Sequence, residues 1–288
     1  MISGFTFVKN AIDLDYPIRE AILSILPLCD EVVVAVGQSS DETLAHIEDI
    51  GSPKIRIINT VWDESLREGG HVLAVETDKA LAALHPDTRW AIYIQGDEVL
   101  HEDGHADIKE MMHHYQEDEQ VEALLLRYHH FYGSYDYIAA SRDWYRREIR
   151  ILKPHKGLSS YKDAQGFRIN DRKIRVKLCD AYMHHYGWVK HPETQQNKQR
   201  SFNKLWHTDD YVSMKVGDEA LFDYSSIDSL ELFTGRHPMV MQERVDKMNW
   251  RFSFDPSQKR LSMKKRLLSF IEKQTGYRIG EYRNYKMV

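Results

Sequence analysis

Apolar positions along the first hundred residues switch repeatedly between two periods. Ile2 to Val8 reads as a strand, and the next stretch, YPIREAILSILPL, places Ile18, Ala21, Ile22 and Ile25 at helical spacing behind Pro17, a residue suited to a first helical turn. A helix is predicted over Pro17 to Ile25, stopping near Pro27. CDEVVVAVGQSSDET then gives a continuous β-branched run, Val32 to Val36, that closes in Gly37 and a polar loop. Thr43 to Ile50 reads as a helix, KIRIINT as a strand, GGHVLAVETDKALAAL as a helix entered through Gly69 and Gly70, and WAIYIQ as the next strand. Such alternation predicts an α/β fold whose mostly parallel sheet is flanked by helices.

The pattern changes after a helix expected over about Ala106 to Gln116. QVEALLLRYHHFYG reads as a strand turning at Gly133, and EIRILKP, FRIN and RKIRVK read as short strands of a mixed sheet. From Pro192 onward, ETQQNKQRSFNKLW opens two long, highly charged segments of modest amphipathicity, predicted as helices separated by polar loops. This shift divides the chain into residues 1–200, the α/β domain, and residues 201–288, a helical C-terminal extension. In the extension, Leu261, Leu267, Leu268 and Ile271 form an apolar stripe expected to pack on the rest of the chain or to make a homodimer contact. Glu272, Glu281 and the overall negative charge weigh against a role at a membrane surface.

Composition narrows the function classes. The 288 residues are 42% hydrophobic and 29% charged, enough to bury a sizeable core. A formal charge of -5 and a pI near 6.3 argue against a general nucleic-acid binder. No apolar run reaches the roughly 18 residues of a membrane span, so no stable membrane insertion is expected. Met1 to Asn10 lacks the pattern of a signal peptide, which reads as a cytoplasmic protein. Cys29 and Cys179, the only cysteines, imply neither a disulfide framework nor a thiolate zinc site.

One strand ends unlike the others. WAIYIQGDEVLHED runs Trp90, Ile92 and Ile94 into Asp97, Glu98, Glu102 and Asp103, with Gly96 between. A strand covered on both faces opens at its C-terminal end into the crevice where α/β sheets bind ligands, so these carboxylates read either as a ligand site or as a solvated acidic turn.

The segment YPIREAILSILPLCDEVVVAVGQSSDET resembles the opening of family 2 glycosyltransferases, in which a first strand and helix lead to a loop matched here by Asp30, Glu31, Val32, Val33, Val34, Ser39, Asp41 and Thr43. WAIYIQGDEVLHED is similar to that family's second signature, a strand ending in Asp-x-Asp-Glu. DAYMHHYGWVK is similar to the His-Tyr-Gly-Trp segment that follows the catalytic domain in one bacterial branch. The three motifs stand in order and cover about residues 1–200. The resemblance implies a GT-A fold, a nucleotide-sugar donor and usually Mn2+ or Mg2+. It also implies transfer to a glycan, lipid-linked or other hydroxyl acceptor, as by a hexosyltransferase of cell-surface polysaccharide biosynthesis.

On that resemblance Asp97 is the metal ligand. A leaving nucleoside diphosphate develops charge that a divalent cation neutralises, and oxygen ligands on a rigid strand end anchor the cation. In an extended chain Gln95 and Asp97 share a face while Glu98 points the other way, so Glu98 supports the site or faces the acceptor. Gln95 stands where the family has its first Asp; it can ligate through its carbonyl but adds no charge. His185 compensates as a second ligand, or else packs as an aromatic-cluster histidine beside Tyr182, Tyr186 and Trp188. Val36 and Gly37 replace the acidic residues that hold base or ribose in the family, which leaves the base to backbone groups of the Gly37 loop. Asp41 reads as a nucleotide contact or, with Ser39 and Ser40, as a cap for the helix from Thr43.

Arg67 beside Gly69 and Gly70 reads as a contact to the donor's diphosphate or sugar, or as a solvated loop arginine. Lys198 and Arg200 read as a basic clamp on the diphosphate, or as the polar face of a helix. An inverting transfer needs a general base for the acceptor hydroxyl. Among Asp163, Asp143 and Glu148 the choice is Asp163, which lies between the metal strand and the His185 segment; Glu148, among Arg146, Arg147 and Arg150, should have a lowered pKa. The aromatic-rich region from Tyr128 to Tyr145 suggests stacking on sugar or lipid-linked glycan surfaces. Two other classes stay open. The loss of acidic groups at Val36 and Gln95 fits an inactive nucleotide-sugar-binding domain, and a nucleotidyltransferase would carry a glycine-rich loop where FVKNAIDLDYP has Lys9 and no glycine.

Overall fold

The structure is a computed structural model that describes the whole chain except residues 64, 67, 209, 210, 212, 213, 215, 217 and 218 and the side chain of Glu68. Its first half alternates as the apolar periods require: β1 (Ile2–Val8), α1 (Ile18–Ile25), β2 (Glu31–Gly37), α2 (Thr43–Glu48), β3 (Ile55–Thr60), α3 (His71–Ala82) and β4 (Trp90–Tyr93). There follow β5 (Glu98–Leu100), α4 (His105–His114), β6 (Ala123–Tyr132), β7 (Ser134–Ala139), β8 (Arg147–Leu152), β9 (Leu158–Tyr161), β10 (Gly166–Ile169), the long β11 (Arg172–Trp188) and α5 (Pro192–Lys204). The main sheet runs β3-β2-β1-β4-β8-β6-β11, and all of these strands except β8 point the same way. This is an α/β fold with a mostly parallel sheet.

The β-branched run of β2 is buried on both faces because the sheet has a core on each side. Val32, Val34 and Val36 point into one core with Ile18, Ile22 and Ile25 of α1, and Val33 and Ala35 into the other with Val72, Leu73 and Ala80 of α3. An isolated helix as short as α1 would not hold together in water. Its three isoleucines are fully buried, and at about 2 kcal/mol each this burial contributes roughly 6 kcal/mol toward docking it.

The C-terminal part departs from the expected helical extension. The boundary expected at residue 200 falls inside α5. Beyond it, among the described residues, the α-helices are α6 (Gln242–Asp246) and α7 (Met263–Thr275), and two short strands join the sheet: β12 (Leu230–Leu232) pairs with β7, and β13 (Tyr285–Met287) runs parallel to β11. Between residues 219 and 262 the charged sequence lacks a sustained apolar stripe. Isolated aromatics anchor it instead, with Trp250 packing near Phe131 and Tyr186, and Phe222, Tyr224, Phe252 and Phe254 around Tyr132 and Leu230. No helix among the described residues is long and apolar enough to cross a membrane.

Candidate active site

A cleft of about 800 Å³ opens at the C-terminal ends of β1, β3 and β4. In the sheet order the chain reverses between β1 and β4, and a crevice at such a switch point is where open α/β sheets receive ligands. The carboxylates after β4 separate into three roles. Asp97 lines the cleft. Glu98 is fully buried and accepts a bidentate pair from Arg150, Nε at 2.8 Å and Nη2 at 2.7 Å, plus the Tyr128 hydroxyl at 2.7 Å and the Gln95 N–H at 3.1 Å. It therefore supports the site and does not face an acceptor. Glu102 and Asp103 pair with Arg236 at 2.9 and 2.7 Å. With His101 they make the one histidine and carboxylate cluster of ligand-like spacing among the described residues, but their charge is already engaged.

The chain brings Asp97 to His185 through β5, which turns back along β11 and sets Glu98 opposite His185. The Tyr186 N–H donates to the Asp97 carbonyl at 2.8 Å, fixing the turn. Oδ2 of Asp97 then lies 3.6 Å from Nε2 of His185, too far for a hydrogen bond. The other ring nitrogen of His185 is fixed by a relay. His130 Nε2 donates to the Tyr145 carbonyl at 2.7 Å, and burial holds the His130 imidazole neutral, its pKa well below the usual value. Its Nδ1 therefore accepts from His185 Nδ1–H at 3.1 Å, and His185 turns Nε2 toward Asp97. A Cβ on Gly187 would stand 2.6 Å from that Nε2 and 2.7 Å from that Oδ2. Glycine thus keeps open a space flanked by one imidazole nitrogen and one carboxylate oxygen, and this donor set fits a divalent cation.

Positive charge surrounds the same carboxylate. Lys198 of α5 donates to Asp97 Oδ2 at 3.1 Å and to the Gly187 carbonyl at 2.8 Å. Burial would raise the Asp97 pKa, but the Lys198 ammonium beside it outweighs this and holds the carboxyl well below the usual carboxylate range. Lys190, fully buried, donates to the Asp15 carbonyl, and both lysine ammoniums lie 5.0 Å from the Tyr16 ring. Burial, and next Lys198, push Lys190 down to about 7. Neither Lys190 nor Gly187 was singled out by sequence. The signal for Gly187 was its place in HHYGW; nothing in the sequence marks Lys190.

Of the other expected site residues, Gln95 lines the cleft and turns its amide nitrogen to the Ala164 carbonyl at 3.3 Å. Asp163 also lines it, with its pKa raised by burial. Its neighbours Lys162 and Ala164 have φ of 57° and 65°, strain of the kind that collects at functional sites. Asp41 is corrected to a structural role. Oδ1 accepts from the Thr43 N–H and hydroxyl and Oδ2 from the N–H groups of Ile12 and Asp13, so the carboxylate ties the 10–13 loop to the start of α2. Arg200 donates to the Glu219 carbonyl at 2.7 Å and, unlike Lys198, does not line the cleft. Arg67 lies outside the described residues.

Gly37 itself is buried, while Gln38 and Ser40 of the loop after it are exposed and do not line the cleft. The Trp62 ring packs on Gly37: a Cβ there would stand 2.4 Å from Trp62 Nε1. Trp62 lines the cleft beside Phe7, with ring centroids 5.8 Å apart, and offers an aromatic platform that sequence reasoning missed. Glu148 also differs from expectation. Arg146 is taken by Glu272 and Glu281 and Arg150 by Glu98, so burial prevails and raises the Glu148 pKa to about 7. Asp143 pairs with Lys265. On the far side of the cleft, Trp144 and Trp188 form a shared wall with a second cavity of about 560 Å³.

No protein-family model matches the chain, and no curated protein matches it in sequence. Among solved structures it is similar to S. aureus TarS 1-349 at 14% identity and a TM-score of 0.40, over 69% of this chain and 63% of that one. It is similar to the 4-diphosphocytidyl-2C-methyl-D-erythritol synthase from Anaerococcus prevotii at 14% identity and a TM-score of 0.36, over 66% and 89%. To glucosyl-3-phosphoglycerate synthase from Mycobacterium tuberculosis, in complex with Mg2+ and UDP, it is similar at 18% identity and a TM-score of 0.31, over 45% and 43%. This chain therefore spans less than two thirds of TarS 1-349. Likenesses of this size leave the functional reading to the cleft's own residues.

Proposed function

We propose that the chain is a metal-dependent, inverting glycosyltransferase that moves a sugar from a nucleotide-sugar donor to a hydroxyl of a glycan or lipid-linked acceptor. The observation that carries this reading is the pairing of Asp97 Oδ2 with His185 Nε2 across the space that Gly187 keeps open, at the mouth of the switch-point crevice. In this reading Asp97 and His185 would hold Mn2+ or Mg2+, which would supply Lewis-acid neutralisation of the leaving diphosphate. Gln95 adds a neutral oxygen. Lys198, already at Asp97, moves its charge onto the phosphates as they depart, and Lys190 supports it from below Tyr16. The Trp62 face stacks on the nucleotide base.

Asp163 accepts the proton of the acceptor hydroxyl, its raised pKa making it a better base than an exposed carboxylate. Trp144 and Trp188 offer stacking surfaces to an acceptor sugar. The two sequence motifs that meet at this site, WAIYIQGDEVLHED and DAYMHHYGWVK, support the same assignment.

The test is nucleotide release from a panel of UDP- and GDP-sugars with Mn2+ by wild type and Asp97→Asn, with thermal melts alongside. The variant should keep its fold and lose on the order of a hundredfold or more in rate. Comparable activity in Asp97→Asn would reject the assignment. Binding of a donor without turnover by wild type would favour an inactive binding domain.

A further inference from the structure

The last thirty residues carry five lysines and four arginines against two glutamates, a net charge of +7 within a chain whose total is -5. Their centre is α7. Its outward stripe is apolar: Met263, Leu267 and Phe270, spaced at i, i+4 and i+7, are 87%, 61% and 62% exposed. Arg266 and Lys273 flank the stripe on one side and Lys264 on the other, all three exposed. Tyr277 and Tyr282, 60% and 70% exposed, continue it past the Gly276 cap. The two acidic groups that would dilute this basic face are turned inward. Glu272 is held by Arg142, Arg146 and Arg278, and Glu281 by Arg146 and Arg283. Of the stripe expected to pack against the catalytic part, Leu268 and Ile271 are half-buried and Leu267 is not.

We infer that α7 docks the protein on an anionic phospholipid surface, with Met263, Leu267 and Phe270 entering the headgroup layer and Lys264, Arg266 and Lys273 pairing with lipid phosphates. A helix with an apolar stripe between basic flanks, too short and too polar to span, lies in the plane of such a surface. Charge complementarity selects this occupant over a second copy of the chain. A symmetric dimer through the stripe would set the basic flanks of one protomer against those of the other, and like charges across an interface oppose association. Lys265 of the same helix lines the second cavity, which shares Trp144 and Trp188 with the cleft. The docking does not rest on the proposed function.

The experiment is co-sedimentation of the full chain, without donor or metal, with phosphatidylcholine vesicles and with vesicles containing 30% phosphatidylglycerol, at physiological salt. Binding is expected to the anionic vesicles only and to weaken in 0.5 M NaCl. Lys264→Gln/Arg266→Gln/Lys273→Gln should lower partitioning roughly a hundredfold, at about fivefold per charge. Leu267→Ser/Phe270→Ser should lower it at least tenfold with an unchanged melting temperature, since both side chains are already exposed. Failure of wild type to pellet, or equal pelleting of both variants, overturns the inference. So does a solution dimer that Leu267→Ser/Phe270→Ser dissociates without any vesicle binding, which would assign the stripe to a second copy. Loss of sugar transfer with vesicle binding intact would count against the proposed function alone.

Discussion

Replacing Arg150 by methionine isolates the physical difference between the two adjacent carboxylates Asp97 and Glu98. Both partners of the Arg150–Glu98 pair are fully buried, with donor–acceptor distances of 2.8 and 2.7 Å. Burial works against the Arg150 charge, and the Glu98 carboxylate outweighs it, so its pKa is raised. Arg150→Met would keep the aliphatic volume but leave Glu98 with only the Tyr128 hydroxyl and the Gln95 N–H. An uncompensated buried charge of this kind costs about 3–5 kcal/mol, a large part of a typical total stability. For a chain of this size that is a fall in melting temperature on the order of 10 °C. Glu98→Gln should cost a similar amount from the other side, because it strands the guanidinium with the carbonyls of Ile149 and Gln165. Glu98→Leu/Arg150→Met removes both charges and should recover most of the loss, since well-packed apolar replacements of buried pairs are often close to neutral.

The assay is urea unfolding of wild type, Arg150→Met, Glu98→Leu and their double variant, analysed as a cycle, with Glu98→Gln measured alongside. A coupling of several kcal/mol is expected. If Arg150→Met costs less than about 1 kcal/mol, Glu98 must reach water or a proton, and its assignment as the structural carboxylate fails. The same variant should also weaken Mn2+ binding, because Glu98 anchors the Gln95 N–H immediately before the Asp97 turn.

Three further outcomes follow from particular contacts. Gly187→Ala should abolish Mn2+ binding by calorimetry while leaving the fold intact, because the added methyl falls between His185 Nε2 and Asp97 Oδ2; retained binding would relocate the cation. Lys198→Met should tighten nucleotide-free Mn2+ binding at least tenfold while slowing donor turnover, since the ammonium occupies Asp97 Oδ2 until phosphates arrive; weaker Mn2+ binding would refute this competition. The Glu148 pKa is raised from an unfolded value near 4.5 to about 7, so its contribution to stability is fully present below pH 4.5 and is lost as pH rises through 7. Glu148→Gln should therefore gain up to about 3 kcal/mol on wild type at pH 8 and little at pH 4.5, read from urea melts; parallel curves would sink the assignment.

The layered architecture was legible because burial repeats. Val32 to Val36 and the α1 isoleucines announce their periods without help from distant residues. Of the candidate site residues, Asp97, expected at a strand end that runs into charge, and His185 and Lys198, expected from the motif and the segment after it, are brought together in one cleft. What escaped depends on contacts far apart in sequence. Nothing near Asp41 says that its four acceptor positions are taken by Thr43, Ile12 and Asp13. The fate of Glu148 turns on Arg146 choosing Glu272 and Glu281, more than a hundred residues further along the chain, and on Arg150 choosing Glu98. Local charge counting assigned those arginines to Glu148, and tertiary pairing removed them.

The same kind of pairing gives the cleft its character. Asp97 already holds the Lys198 ammonium, which on the proposed function is the charge an incoming phosphate would take up. On the proposed function, a lone Mn2+ would have to displace a lysine from the one carboxylate in its donor set, whereas a nucleoside diphosphate arriving with the ion would give that lysine a new partner and add oxygens to the coordination. Each ligand would thereby lower the cost of binding the other. By linkage the Mn2+ affinity gained on adding nucleotide must equal the nucleotide affinity gained on adding Mn2+. Removing the Lys198 charge should reduce both gains by the same factor.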